Sequence, residues 1–141
     1  MNQDIEFPAP EAVKRVRDAV ASADGVWFFT PEYNHAVPGT LKNLIDWLSR
    51  PISQTVGNVL AGKPATVSGI GAGPYGAIRA VDDLAALVNY LDMDVMNQPR
   101  TAIPNAFGLA DGNGNLDLGT SEKFLGEQAD AFLKFLEARE K

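Results

Sequence analysis

An α/β fold on a parallel sheet is the class this sequence predicts, and three observations carry it. Apolar runs of strand length alternate with stretches of helical period along the 141 residues. The first of those runs is apolar throughout, the pattern of a strand covered on both faces. Glycine and proline punctuate the joints, with no internal repeat and no low-complexity tract.

The elements follow in order. Residues 8–11 open a first helix whose stripe is Ala12, Val13, Val16, Ala19 and Val20, opposite Lys14, Arg15, Arg17 and Asp18. Asp24-Gly25 ends it, and Val26-Trp27-Phe28-Phe29-Thr30 is the apolar run. A loop over residues 31–38 leads to a second helix that reaches about Arg50, with Leu41, Leu44, Ile45 and Leu48 at i, i+3, i+4 and i+7. Pro51 stops it. Trp47 widens that stripe, which predicts that part of the helix faces a second subunit. Beyond a polar connector with Gly57 and Gly62, Pro64-Ala65-Thr66-Val67-Ser68-Gly69 forms a second strand. A glycine-rich turn feeds a third helix over about residues 77–91, and Asp94-Val95-Met96 is a brief third strand. A long loop with Pro99, Pro104, Gly108 and Asp111-Gly112-Asn113-Gly114 follows. Thr120 or Ser121 caps the last helix, whose period is held by Phe124, Gln128, Phe132, Phe135 and Leu136.

Length fits one domain over residues 1–141. With 12 Lys and Arg against 18 Asp and Glu, the net charge of −6 repels phosphate backbones and argues against nucleic acid. The absence of cysteine excludes zinc-thiolate sites, iron–sulfur clusters and thiol catalysis, and predicts a reducing, cytoplasmic setting. No apolar run approaches the ~20 residues of a bilayer span, and the first residues have no signal-peptide character, so no membrane partner is expected. A single histidine, His35, cannot build a metal site alone. Flavin and nicotinamide chemistry survive these exclusions.

Three strands leave the apolar first one at an edge, although its composition suits a sheet interior. Either an opening βαβ unit is missing, or the domain is a compact three-layer unit with a mixed edge.

Two segments carry candidate chemistry. Pro31, Glu32, Tyr33 and Asn34 stand at the C-terminal end of a predicted parallel strand, where open α/β sheets place ligands. Pro31 and Pro38 stiffen the loop, so its N–H groups are held toward a planar ligand such as a flavin ring, with Tyr33 as the aromatic and Asn34 as an amide. An ordinary rigid connector reads equally from the spacing. His35 and Glu32 read as solvated loop side chains, Glu32 contributing its backbone. The second segment, Gly71-Ala72-Gly73-Pro74-Tyr75-Gly76, matches G-x-G-x-x-G between strand and helix, with Asp92 21 residues beyond Gly71. That spacing allows a dinucleotide site, yet the acid should end the following strand and Asp92 precedes it. Glycines that bring backbone N–H groups against a flat ligand, or a tight turn with no ligand, are the alternatives. Asp82 and Asp83, and Glu137, Arg139, Glu140 and Lys141, read as solvated faces. No catalytic triad, carboxylate dyad or metal-ligand cluster stands out.

The run from Thr30 through Arg50, Thr-Pro-Glu-Tyr-Asn-His-Ala-Val-Pro-Gly-Thr-Leu-Lys-Asn-Leu-Ile-Asp-Trp-Leu-Ser-Arg, closely resembles the signature of the NADPH-dependent FMN reductase family. Gly62-Lys63-Pro64, the turn ending in Gly76 with Arg79, and Leu91-Asp92-Met93-Asp94-Val95-Met96-Asn97-Gln98-Pro99 are similar to it as well, closest to the soluble bacterial quinone and chromate reductases. The resemblance implies a flavodoxin-like three-layer sandwich and an FMN reduced by NAD(P)H. Quinones, azo compounds, chromate or free flavin would reoxidise it, in a homodimer or homotetramer. It implies that Pro31, Glu32, Tyr33 and Asn34 carry one edge of the flavin ring and that Gly71, Ala72, Gly73 and neighbouring Tyr75 carry another. The flavin does the hydride chemistry, so no side-chain acid or base and no metal is required. Family members begin with a strand, a phosphate-binding loop, a helix and a second strand that this chain lacks, so the expectation is a fold short of its first βαβ unit. The ring-binding loops then remain without the phosphate anchor, and the 141-residue chain is expected to hold FMN weakly, as a weak enzyme or an inactive binding or assembly module.

Overall fold

The computed structural model describes residues 1–139; Glu140 and Lys141, read above as part of a solvated face, lie outside them. After a short 3-10 turn at Gln3–Ile5 come α1 (Glu11–Ser22), β1 (Val26–Pro31), α2 (Gly39–Leu48), β2 (Pro64–Ile70) and α3 (Ile78–Tyr90). Then follow β3 (Asp94–Val95), β4 (Thr101–Ile103), α4 (Ala106–Leu109) and α5 (Ser121–Glu137). The α/β class with a parallel sheet is the one observed. Every ladder is parallel, with β2 in the centre and β1 along one side. The other side is shared: β3 pairs with Pro64 and Ala65, and β4 with Ser68, Gly69 and Ile70.

Sequence alternation in β2 explains the layering. Ala65 and Val67 point to one face, where Phe28, Ile45, Leu48, Leu84 and Val88 close over them, with Val16 and Val20 of α1 at the margin. Full burial of each Leu, Ile or Val there contributes about 1.5–3 kcal/mol. Thr66 and Ser68 point to the other face, which α5 covers. Gln128 of α5 donates to Thr66 Oγ1 (2.8 Å) and the Val67 carbonyl (3.0 Å) and accepts from Ser68 Oγ (2.8 Å). Trp27 Nε1 donates to Ser68 Oγ at 3.0 Å, and the Trp27 ring meets Phe132 edge-on. The buried polar groups at this face therefore have partners, as burial demands.

Five expectations change. The loop after residue 96 contains β4 and α4, because Thr101-Ala102-Ile103 completes the third strand position that β3 leaves half filled. Arg17, assigned to the solvent face of its helix, is 4% exposed. Its Nη2 donates to the Trp47 carbonyl at 3.0 Å, placing a cation at the electronegative end of α2. Trp47 is buried within the chain and gives no argument for a second subunit. The apolar run of β1 stands at the sheet edge that the strand count implies but is not covered on both faces, with Phe28 in the core and Phe29 60% exposed. Thr120 is the N-cap of α5, but its side chain makes no capping bond.

Candidate functional site

Adjacent parallel strands end together. Pro31 pairs with Ile70, so the turns that follow β1 and β2 stand side by side at the C-terminal rim of the sheet. The first turn is tighter than its sequence suggests. Tyr33 and Ala36 exchange two backbone hydrogen bonds (3.2 and 3.1 Å), and both central residues have positive φ: Asn34 at 54° and His35 at 60°. That is the arrangement of a type I′ turn, with histidine at a position that usually favours glycine. The second turn is fastened from below. Gly71 donates to the Ile103 carbonyl, while Asn105 and Ala106 donate to the carbonyls of Gly73 and Gly71. The end of β4 and the start of α4 thus hold the glycine-rich turn in place.

The glycines divide their work. Gly76 has φ of 57°, and a Cβ there would lie 2.7 Å from the Ile103 carbonyl carbon, so its lack of a side chain serves the chain's own packing. A Cβ on Gly73 would meet nothing within 4 Å, so that position faces open space. Around it Ala72, Tyr75 and, from the first turn, Tyr33 and Asn34 are exposed, whereas Pro31 and Glu32 are half-buried. Among the described residues, the backbone N–H groups of Asn34, His35, Ala72, Gly73 and Tyr75 find no intramolecular acceptor. The rim therefore presents amide donors and two exposed tyrosine rings, a donor set suited to a flat ring with acceptor atoms along its edge.

Glu32 departs most from expectation. Its carboxylate does not sit free in solvent; Oε2 accepts from the N–H groups of Arg79 (3.1 Å) and Ala80 (3.2 Å), in the first turn of α3. The N-cap of α3 is Ala77, which has no side-chain oxygen to cap the helix with. Glu32 supplies that oxygen from the neighbouring turn. Its Oε1 lies 3.4 Å from His35 Nδ1, and the histidine ring is otherwise solvated. No sequence spacing signals this contact, because the partners lie 47 and 48 residues apart.

The same contact bears on a dinucleotide at the G-x-G-x-x-G turn. A pyrophosphate would need the amides at the α3 N-terminus, and a carboxylate already occupies two of them. Asp92 lies just before β3, whose Asp94 pairs with Pro64 at the opposite end of β2 from Gly71. The acid and the turn are separated by the length of a seven-residue strand, about 20 Å. Among the described residues, no group of three or more His, Cys, Asp or Glu is placed to hold a metal. The cleft of about 300 Å³ lined by Phe7, Arg17, Ile52 and Val59 shares no residue with the rim.

A sequence profile of NADPH-dependent FMN reductases matches residues 1–108, across both rim turns. This chain belongs to the NADPH-dependent FMN reductase family. A 2-hydroxy-1,4-benzoquinone reductase of a Burkholderia species is 36% identical over 138 residues, covering 98% of this chain and 74% of that protein. The quinone reductase of Escherichia coli K12 is 38% identical over 140 residues, covering 97% and 70%. The solved flavoenzyme NAD(P)H:(acceptor) oxidoreductase FerB from Paracoccus denitrificans superposes with a TM-score of 0.80 at 35% identity, covering 98% of this chain and 74% of that one. The flavodoxin-like architecture is thus shared with known family members, and the rim lies where such sheets take their ligands.

Proposed function

We propose that this chain is an FMN-dependent NAD(P)H oxidoreductase that reduces quinones, with the paired rim turns as the seat of the flavin ring. One observation carries the reading: two adjacent turns offer unpaired backbone donors around the open face at Gly73, in a member of a flavin reductase family. The residues fit an isoalloxazine ring. N–H groups of Asn34, His35, Ala72 and Gly73 suit its acceptor atoms, and Tyr33 and Tyr75 offer aromatic surface beside it. Pro31 and Glu32 would place the first turn, and Gly71 the second.

When bound, FMN supplies the hydride chemistry, taking a hydride from NAD(P)H and passing reducing equivalents to the acceptor. The chain's part is to bind and orient. Exposed amides on rigid turns hold the ring at no reorganisation cost at the moment of reaction. The open rim admits the nicotinamide and the quinone in turn, so one face serves both half-reactions. An assembly of two or four copies and a cytoplasmic setting belong to the same reading, the first resting on the family resemblance and the second on the absence of cysteine. No helix of the described residues is long and apolar enough to cross a membrane.

Titration with FMN, followed by quenching of flavin fluorescence, tests the proposal together with NAD(P)H oxidation in the presence of benzoquinone. Saturable quenching and quinone-dependent oxidation are expected. A chain that neither quenches flavin nor oxidises NAD(P)H with added FMN would overturn it.

A further inference from the structure

We propose that the Glu32 side chain is a positioning residue that locks the two rim turns into a single ring-binding unit; this rests on the functional reading above. Glu32 immediately precedes the tight turn whose Asn34 and His35 amides have no intramolecular acceptor, so whatever fixes its carboxylate also constrains those donors. The carboxylate is held through one oxygen and has a neighbour in its own turn at the other. Oε2 receives the Arg79 and Ala80 amides, and Oε1 lies against His35 within the turn itself. The Glu32 side chain itself is only 20% exposed.

The partner side is equally constrained. α3 starts where the glycine-rich turn ends, and Ala77, with φ of 60°, leaves the helix without a cap of its own. An anion at the first turn of a helix is stabilised by the amides and by the helix dipole together. Glu32 meets that need and, in doing so, ties the first turn to the helix that carries the second. The bond therefore adds to the β1–β2 pairing a side-chain restraint on the position of the Asn34 and His35 donors against those of Ala72 and Gly73. Neither turn's internal hydrogen bonds can do this, since none of them crosses from one turn to the other.

Three variants test this. In Glu32→Ala, amide exchange at Arg79 and Ala80 should accelerate and the Kd for FMN should rise about tenfold or more. The visible spectrum of the bound flavin should also move toward that of free FMN. Glu32→Gln keeps an oxygen for the two amides but loses the charge, and its Kd should rise only about threefold. Gln128→Leu, beneath the opposite face of the sheet, should lower Tm and leave the Kd within about twofold, which separates positioning from general destabilisation. Glu32→Ala with an unchanged spectrum and a Kd within about twofold of the parent would overturn the proposal while the functional reading stands. Should Glu32→Ala fail to fold, an unchanged Kd in Glu32→Gln would do the same. Failure of the parent chain itself to quench FMN fluorescence would overturn the functional reading, and this proposal with it.

Discussion

Gly73 and Gly76 lie three positions apart in one turn, and their environments predict opposite outcomes for the same substitution. Gly76→Ala must place a Cβ 2.7 Å from the Ile103 backbone at a positive φ, so it should destabilise the chain by about 2–3 kcal/mol. Gly73→Ala meets no protein atom and should leave Tm nearly unchanged. It adds a methyl to the face assigned to the flavin, so its expected effect is a weaker FMN affinity in the fluorescence titration. Thermal melts and titrations of the pair separate a glycine needed for packing from one needed for a ligand. Arg17 makes the same point for a charged residue. Its burial follows from the α2 carbonyl it satisfies, not from its own helix's amphipathic pattern.

At the scale of elements, α5 is joined to the sheet by polar chemistry within an apolar layer. Gln128 connects Thr66, the Val67 carbonyl and Ser68, and Ser68 in turn receives Trp27 Nε1. Replacing it with leucine removes the partners of several buried polar groups at once and should cost about 2–3 kcal/mol. Adding Ser68→Ala and Thr66→Val to Gln128→Leu should recover part of that loss, because the stranded hydroxyls go with it. Denaturant melts of the single and triple variants measure the coupling. β3 and β4 are elements that neither could sustain alone: two and three residues long, they share one edge of β2.

Across the whole molecule, the C-terminal helix is pinned to the far end of the sheet by Arg139. Its Nη2 donates to Asp94 Oδ1 at 3.0 Å, and its guanidinium lies 3.3 Å over the Phe135 ring. The hydrogen bond from Arg139 holds the Asp94 carboxyl below its ordinary value of 3.8. A carboxyl depressed in the folded state contributes stability above that ordinary value and loses it as pH falls through the folded one. Asp94→Asn should therefore lower Tm at neutral pH, and the difference from the parent should shrink as pH drops below 3.8 and vanish below the folded-state value. The opposite margin of the sheet is β1, whose outer edge pairs with no strand among the described residues and carries exposed Phe29. An apolar edge of this kind is a template for self-association. Phe29→Lys should reduce light scattering in concentrated samples, at a small cost from the lost stacking on Trp27.

Local pattern was enough to determine the alternation of strands and helices, the parallel sheet, and the location of two turns at its C-terminal rim. Each of those follows from hydrophobic period and from the geometry of adjacent parallel strands, which any short stretch of sequence already encodes. The signature over residues 30–50 also sufficed to name the family. Tertiary structure alone decided the rest. Thr101-Ala102-Ile103 is too short to read as a strand until the free edge of β2 receives it. Arg17 and Gln128 are polar residues on helices, and only the Trp47 carbonyl of α2 and the β2 hydroxyls explain why they are buried. Glu32 looks like a loop carboxylate until folding brings the uncapped start of α3 beside it. Contacts of this kind join residues tens of positions apart, and their energies depend on the low dielectric of a packed interior, so no local pattern announces them.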